Sequence, residues 1–233
     1  MNQLETHQIN GFKIHVGARE ELVRYALNRK GILVALNAQK LYAKDKTVVD
    51  LCESEIGYPD GIGAVLACKR KGATDVVKIP GCELWLNIIE AIQGQQSVFI
   101  VGSTQEVIEK TIMKLQAEYP KLDIIGYRNG FLDDASRHKL SLDIARLRPA
   151  VVFVAQGSPR QEHLMQELLK IHPALYMGLG GSLDVFVGNK TRAPLLFQRL
   201  GLEWAYRSLI EPKRLRRQLV FIPFLLRLAL NKM

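Results

Sequence analysis

The chain has 233 residues, 48% of them hydrophobic and 24% charged, which supports one domain or two small ones with a substantial core and excludes disorder and collagen. Its formal charge of +9 sits almost wholly at one end: residues 190–233 carry ten basic and two acidic side chains, whereas residues 1–189 carry 22 and 21. A near-neutral body with a cationic tail points to a local anionic partner, phosphate or a lipid surface, and away from nucleic acid, which suits a chain that is basic throughout.

In chain order, apolar β-branched runs alternate with stretches of helical period, the pattern of βαβ units and a Rossmann-like, largely parallel sheet with flanking helices: an α/β fold. A helix over Glu20 to Arg29 precedes a strand at Ile32-Leu33-Val34-Ala35-Leu36, and a further strand is expected at Val76-Val77-Lys78-Ile79. Then come a helix from Leu84 to Ile92, a strand Val98 to Val101, and a helix Thr104 to Glu118 whose Ile108, Ile112 and Leu115 form one stripe. A strand Asp123 to Gly126, a helix Asp134 to Leu147 opened by the acidic cap Asp133-Asp134, and a strand Val151 to Ala155 follow. The character shifts near Lys190, which divides the chain into an α/β core over 1–189 and a basic helical C-terminal appendage over 190–233.

Three cysteines with no CxxC and no zinc-ligand spacing indicate neither a disulfide framework nor a structural zinc, and fit a reducing cytoplasm. The first residues lack the pattern of a signal peptide, and no run of about 18 apolar residues exists to span a bilayer.

In open α/β sheets ligands sit beyond the carboxyl ends of the strands, where helix N-termini suit phosphate. Gly157-Ser158-Pro159 follows a strong strand, with Pro159 placed for the first turn of a helix running to Ile171. It can hold a pyrophosphate; it is not a GxSxG elbow, so Ser158 reads as a cap rather than a nucleophile. Gly178-Leu179-Gly180-Gly181 permits close backbone approach to a ligand, although a structural turn explains it equally well. Tyr58-Pro59-Asp60-Gly61 is a turn that either does nothing more or holds Asp60 rigidly as a general base. Gln161-Glu162-His163 lacks a second His at i+4, so a solvated helix face is expected rather than a zinc helix. No Asp-x-Asp follows a strand, and no GxGxxG with a following acidic residue supports an NAD-linked oxidoreductase. From Pro212 to Leu230, Leu215, Leu219, Ile222 and Leu226 recur beside Lys213, Arg214, Arg216 and Arg217, a basic amphipathic helix whose apolar run Leu219 to Leu226 is broken by Pro223; it suits a headgroup region, and the alternative is a helix docked on its own domain with its charges in water.

Taken together, Leu36-Asn37-Ala38, Pro59-Asp60-Gly61, Gly157-Ser158-Pro159-x-Gln161-Glu162, Gly178-x-Gly180-Gly181-x-x-Asp184, Arg192-Ala193-Pro194, Gly201-Leu202-Glu203-Trp204-x-Tyr206-Arg207 and Glu211-Pro212-x-Arg214 resemble the WecG/TagA/CpsF glycosyltransferases over nearly the whole chain. The C-terminal block is most similar to the WecG branch. That resemblance implies inverting transfer of N-acetyl-D-mannosaminuronate from UDP to the 4-hydroxyl of GlcNAc on undecaprenyl diphosphate, in enterobacterial common antigen assembly, without metal or other cofactor. The enzyme would be peripheral on the cytoplasmic face of the inner membrane. Plain N-acetylmannosamine, as in the TagA branch, is the alternative donor sugar. It further implies Asp60 as base with Asn37 beside it, and a donor pocket drawing on Gly157, Ser158, Pro159, Gln161, Glu162, Gly180, Gly181 and Asp184. Arg207, Arg214 and Arg217 are its candidates for the diphosphate. Where the family usually has Arg, this chain has Lys78, which keeps the charge and loses the bidentate fork. Lys78, Arg128 and Arg160 are candidate partners for a donor carboxylate. A nucleotide- or RNA-binding protein with a basic tail is the competing reading from another class; the tail has little aromatic interleaving to support it.

Overall fold

A computed structural model describes residues 3–210 and 219–232. The chain opens with a hairpin, β1 (Glu5–Ile9) and β2 (Phe12–Val16), paired antiparallel from Glu5–Val16 to Ile9–Phe12. Asn10 and Gly11 form its two-residue turn at φ of 52° and 88°, the left-handed pair that matches strand twist. There follow α1 (Arg19–Arg29), β3 (Gly31–Leu36), α2 (Ala38–Ala43), α3 (Lys46–Ser54), β4 (Ile56–Pro59), α4 (Ile62–Arg70) and α5 (Gly81–Ile92). Next come β5 (Ser97–Gly102), α6 (Gln105–Glu118), β6 (Asp123–Arg128), α7 (Asp134–Leu147), β7 (Val151–Ala155), α8 (Arg160–Ile171) and β8 (Leu175–Gly178). Four short helices end the described chain: α9 (Ser182–Phe186), α10 (Leu195–Arg199), α11 (Glu203–Ile210) and α12 (Phe221–Ala229).

Six strands form one sheet in the order β4-β3-β8-β7-β5-β6, and the pairs β3–β8, β8–β7, β7–β5 and β5–β6 are parallel. The expected α/β class with a parallel sheet is therefore the observed one. β7 is buried at every residue, as a central parallel strand covered on both faces must be. The chain forms two compact units, one of residues 20–34 and 81–190, the other of residues 1–19, 35–80 and 191–233.

In the first unit, α6 buries Val107, Ile108, Ile112 and Leu115, the expected stripe, and Thr104 and Asp133 cap α6 and α7 by accepting from Val107 N and Ser136 N. Trp85 of α5 packs edge-on against Phe153 and Phe186, at ring-centroid distances of 5.7 and 5.1 Å. The chain leaves β5 through α6 for β6 on one side and leaves β7 through α8 for β8 on the other, so the adjacent ends of β5 and β7 are a topological switch point.

In the second unit, α12 presents two faces. Phe224 and Leu228 are buried, whereas Leu219, Ile222 and Leu226 are 53%, 55% and 60% exposed. Phe224 lies against Gly63 of α4, and the Arg227 guanidinium sits 4.5 Å over the Tyr42 ring of α2.

Two expectations about elements are corrected. Val76–Ile79 forms no strand: the Ile79 N–H donates to Pro59 O at 2.9 Å, and Pro80 has no N–H to continue a ladder. The tail helix expected from Pro212 to Leu230 runs, among the described residues, only from Phe221 to Ala229: 219 and 220 form a turn, Pro223 sits in the first helical turn where a missing N–H costs nothing, and 211–218 lie outside the described residues.

Candidate active site

Within the unit that contains α2 and α4, two strand ends converge. Asn37 follows β3 and caps α2, its Oδ1 accepting from Lys40 N at 3.1 Å. The cap takes one lone pair of the amide oxygen, so Asn37 keeps its NH2 group and the second lone pair for a ligand. Asp60 follows β4 with its backbone N–H donating to Leu36 O at 2.9 Å, and Gly61, the next residue, caps α4. A Cβ built on Gly61 would lie 3.5 Å from Asn37 Cβ, so the two expected residues are neighbours. Behind them α2 and α4 meet at Gly63, where a Cβ would stand 2.6 Å from Ala38 Cβ. Both expected active-site residues are half-buried and held by backbone hydrogen bonds or caps, which fixes the two stretches of backbone that carry the acid and the amide side by side.

Lys78 lies in the same unit and already has partners. Its Nζ donates to Gln198 O at 2.9 Å and to Glu203 Oε2 at 3.1 Å, while Arg192 Nε donates to Glu203 Oε1 at 3.4 Å. This cluster joins the 76–79 segment to α10 and α11. Of the three arginines proposed for the diphosphate, Arg207 lies in α11 with its side chain outside the described residues, and Arg214 and Arg217 lie outside them altogether.

Within the other unit, the switch point between β5 and β7 is closed by a chain of bonds. Ser103 N donates to Ala155 O at 2.9 Å, Gly130 N to Ser103 O at 2.8 Å, and Gln156 Nε2 to Gly130 O at 2.7 Å. Ser103 is in the left-handed region at φ 54°, and its Oγ lies 3.5 Å from Asp184 Oδ2 of α9. Ser103 and Gln156 stand at the strand ends where the sequence pattern points to a ligand site, directly after β5 and β7.

Gly157-Ser158-Pro159 leads into α8 as expected, with a cis Ser158–Pro159 bond. Ser158 is not the cap: Pro159 holds that position, with no side-chain cap bond, and Ser158 is exposed. The expected solvated face at Gln161-Glu162-His163 is corrected as well. His163 is exposed, but Gln161 and Glu162 are buried, at 4% and 1% exposure. Gln161 turns inward because its Oε1 accepts from Gly157 N at 3.1 Å and from Gly180 N at 2.9 Å, and its Nε2 donates to Glu162 Oε1 at 3.3 Å. Gly157 and Gly180 have φ of 77° and 55°, and no atom of the described residues lies within 4 Å of a Cβ built on either, or on Gly181. These glycines thus bound open space beside the N-terminus of a twelve-residue helix, a setting suited to phosphate oxygens.

Arg128, at the end of β6, donates from Nη2 to Asp143 Oδ2 at 2.8 Å, with Arg146 on the other carboxylate oxygen at 3.4 Å. Arg160 is exposed as the first residue of α8. Among the described residues, no group of three or more His, Cys, Asp or Glu is placed to hold a metal ion, and no helix is long and apolar enough to cross a membrane.

The comparison with known families supplies what geometry alone does not. The family model described as "Glycosyl transferase WecG/TagA/CpsF family" matches residues 7–233 and so takes in both the Asn37–Asp60 pair and the glycine loops at 157 and 180. With a parallel α/β sheet and with Asn37, Asp60, Gln161 and Asp184 all at strand ends or first turns, the chain belongs to the WecG/TagA/CpsF glycosyltransferase family.

Proposed function

We propose that this glycosyltransferase moves N-acetyl-D-mannosaminuronate, with inversion, from UDP to the 4-hydroxyl of GlcNAc on undecaprenyl diphosphate, in enterobacterial common antigen assembly. The acceptor oxygen attacks the anomeric carbon, the bond to the UDP oxygen breaks, and the acceptor proton passes to the Asp60 carboxylate. Asn37 donates its amide hydrogens to a sugar oxygen and orients it. The departing diphosphate is met by the Gly157 and Gly180 loops, the start of α8, and Arg207, Arg214 and Arg217.

The observation that carries this reading is the fixed neighbourhood of Asp60 and Asn37, whose backbone bond to Leu36 and helix cap hold an acid–amide pair in place. Asp60→Asn keeps the shape and removes the base, so transfer to a lipid-linked acceptor is expected to fall by about a hundredfold or more. Transfer at the wild-type rate overturns the assignment.

Plain N-acetylmannosamine is the second reading, and one observation favours it. Lys78 and Arg128 are already paired with Glu203 and Asp143, which leaves Arg160 as the exposed member of the three cations proposed for a donor carboxylate. Assay of the purified enzyme with both UDP sugars decides between them.

Residues 190–233 serve in this reading as an appendage that closes over the diphosphate and rests on the cytoplasmic membrane surface. Support comes from the exposed Leu219, Ile222 and Leu226 beside a basic stretch, and from Leu195, Leu196 and Leu200, exposed on α10.

A further inference from the structure

Gln161 is a buried side chain that bonds to both glycine loops. Its backbone N–H donates to Gly157 O at 3.0 Å while its Oε1 takes the Gly157 N–H in return, a reciprocal clasp of the capping-box kind. A cap needs no more than that. Here the same oxygen also accepts from Gly180 N, 19 residues further on, across the end of β8. Both lone pairs of the carbonyl are thereby used, and the Nε2 end is turned to Glu162 Oε1. No acceptor capacity is left on Gln161 for a ligand.

Gly178 completes the arrangement. A Cβ on Gly178 would stand 2.3 Å from Gln161 Nε2, 2.8 Å from its Cδ and 3.3 Å from its Cγ, and these are the three nearest heavy atoms. Gly178 has no positive φ, so its backbone would accept alanine; the atoms that a side chain there would strike first all belong to Gln161, and any other lies 3.3 Å away or further. The Gly178 of the Gly-x-Gly-Gly run is therefore explained by the side chain it accommodates, and Gly157 and Gly180 by their backbone angles.

We propose that Gln161 is a positioning residue: it fixes the spacing of the Gly157 and Gly180 loops, and Gly178 is glycine so that it can. The proposal rests on the reading of these loops as the cradle of the donor diphosphate. It assigns Gln161 no contact with the donor, in contrast to the donor-pocket role that resemblance implies.

The test uses the full chain in three forms, Gln161→Ala, Gly178→Ala and the double variant, with UDP as the probe. Isothermal titration is expected to show each single variant binding UDP about tenfold or more weakly, the loss that one displaced pair of hydrogen bonds supports. The double variant is expected to bind no more weakly than Gln161→Ala, because alanine at 178 has nothing left to strike. Losses that add in the double variant overturn the proposal, as does wild-type affinity in Gln161→Ala. The amide resonances of Gly157 and Gly180, recorded without ligand, are expected to move in both single variants. If affinity falls while those two amides stay in place, Gln161 is a direct ligand contact and the proposal fails. If the wild-type protein binds no UDP, the diphosphate reading fails by itself, and the amide shifts still decide whether Gln161 holds the loops together.

Discussion

Burial in α4 pushes the Cys68 thiol from near 9 up to about 12, because the thiolate has no water to solvate it. The folded chain keeps that proton through a range where the unfolded chain has lost it. The contribution to stability is therefore complete below about pH 9 and is lost as pH rises toward 12. Urea midpoints measured at about pH 7.5 and about pH 10 should fall over that interval, and Cys68→Ala should flatten the fall. An unchanged slope in the variant would show that the thiol is not its source. Legibility varied in the same way at this scale. The fixed strand-end position of Asp60 is legible in the sequence because Pro59 and Gly61 flank it and mark a rigid turn. Gln161 was misplaced because a polar residue in the first turn of an amphipathic helix is read by period as solvent-facing. Period carries no information about a bond to residue 180, since that bond exists only once β7 and β8 lie side by side.

At the level of elements, sequence period located the long helices and central strands well, since α6, α7 and β7 have burial that follows directly from their apolar spacing. The short pieces escaped. β8 has four residues, all buried, and α2 has six, too few to show a period. The β1–β2 hairpin carries one local signal, Asn10-Gly11 ahead of the alternating Phe12-Lys13-Ile14-His15-Val16, but β1 is polar except at Ile9 and so shows no strand pattern of its own. α12 is where element and function meet, because its buried face packs on α2 and α4, the helices that follow Asn37 and Asp60, while its other face is exposed. The two faces are separable. Phe224→Ala empties a fully buried site against Gly63 and should cost about 3–5 kcal/mol of stability, with sugar transfer falling as the rear of the Asn37–Asp60 pair loosens. Ile222→Ser with Leu226→Ser should change stability by only about 0.5 kcal/mol per site and should weaken binding to anionic vesicles. The reverse pattern in unfolding and vesicle flotation would mean the faces are misassigned.

Across the whole molecule, the nine net positive charges belong mostly to residues 190–233, and residues 191–233 share a compact unit with residues 1–19 and 35–80, the unit of Asn37 and Asp60. Deleting residues 212–233 is thus a poor test of membrane attachment, since it removes Phe224 from Gly63 along with the basic stretch. Charge reversal at Lys213 and Arg216, neither of which is assigned to the diphosphate, separates adhesion from chemistry. Each basic residue near an anionic surface contributes about 1 kcal/mol, so losing two should weaken vesicle binding at least about thirtyfold. The deficit should shrink as salt is raised toward about 1 M, where the screening length falls to about 3 Å and the wild-type protein loses its electrostatic advantage too. Transfer to a short-chain, water-soluble acceptor should be unchanged, because nothing in that reaction needs the bilayer. Wild-type vesicle binding in the doubly reversed variant would assign adhesion to the exposed leucines of α10 and α12 alone and leave the tail's charge to the diphosphate.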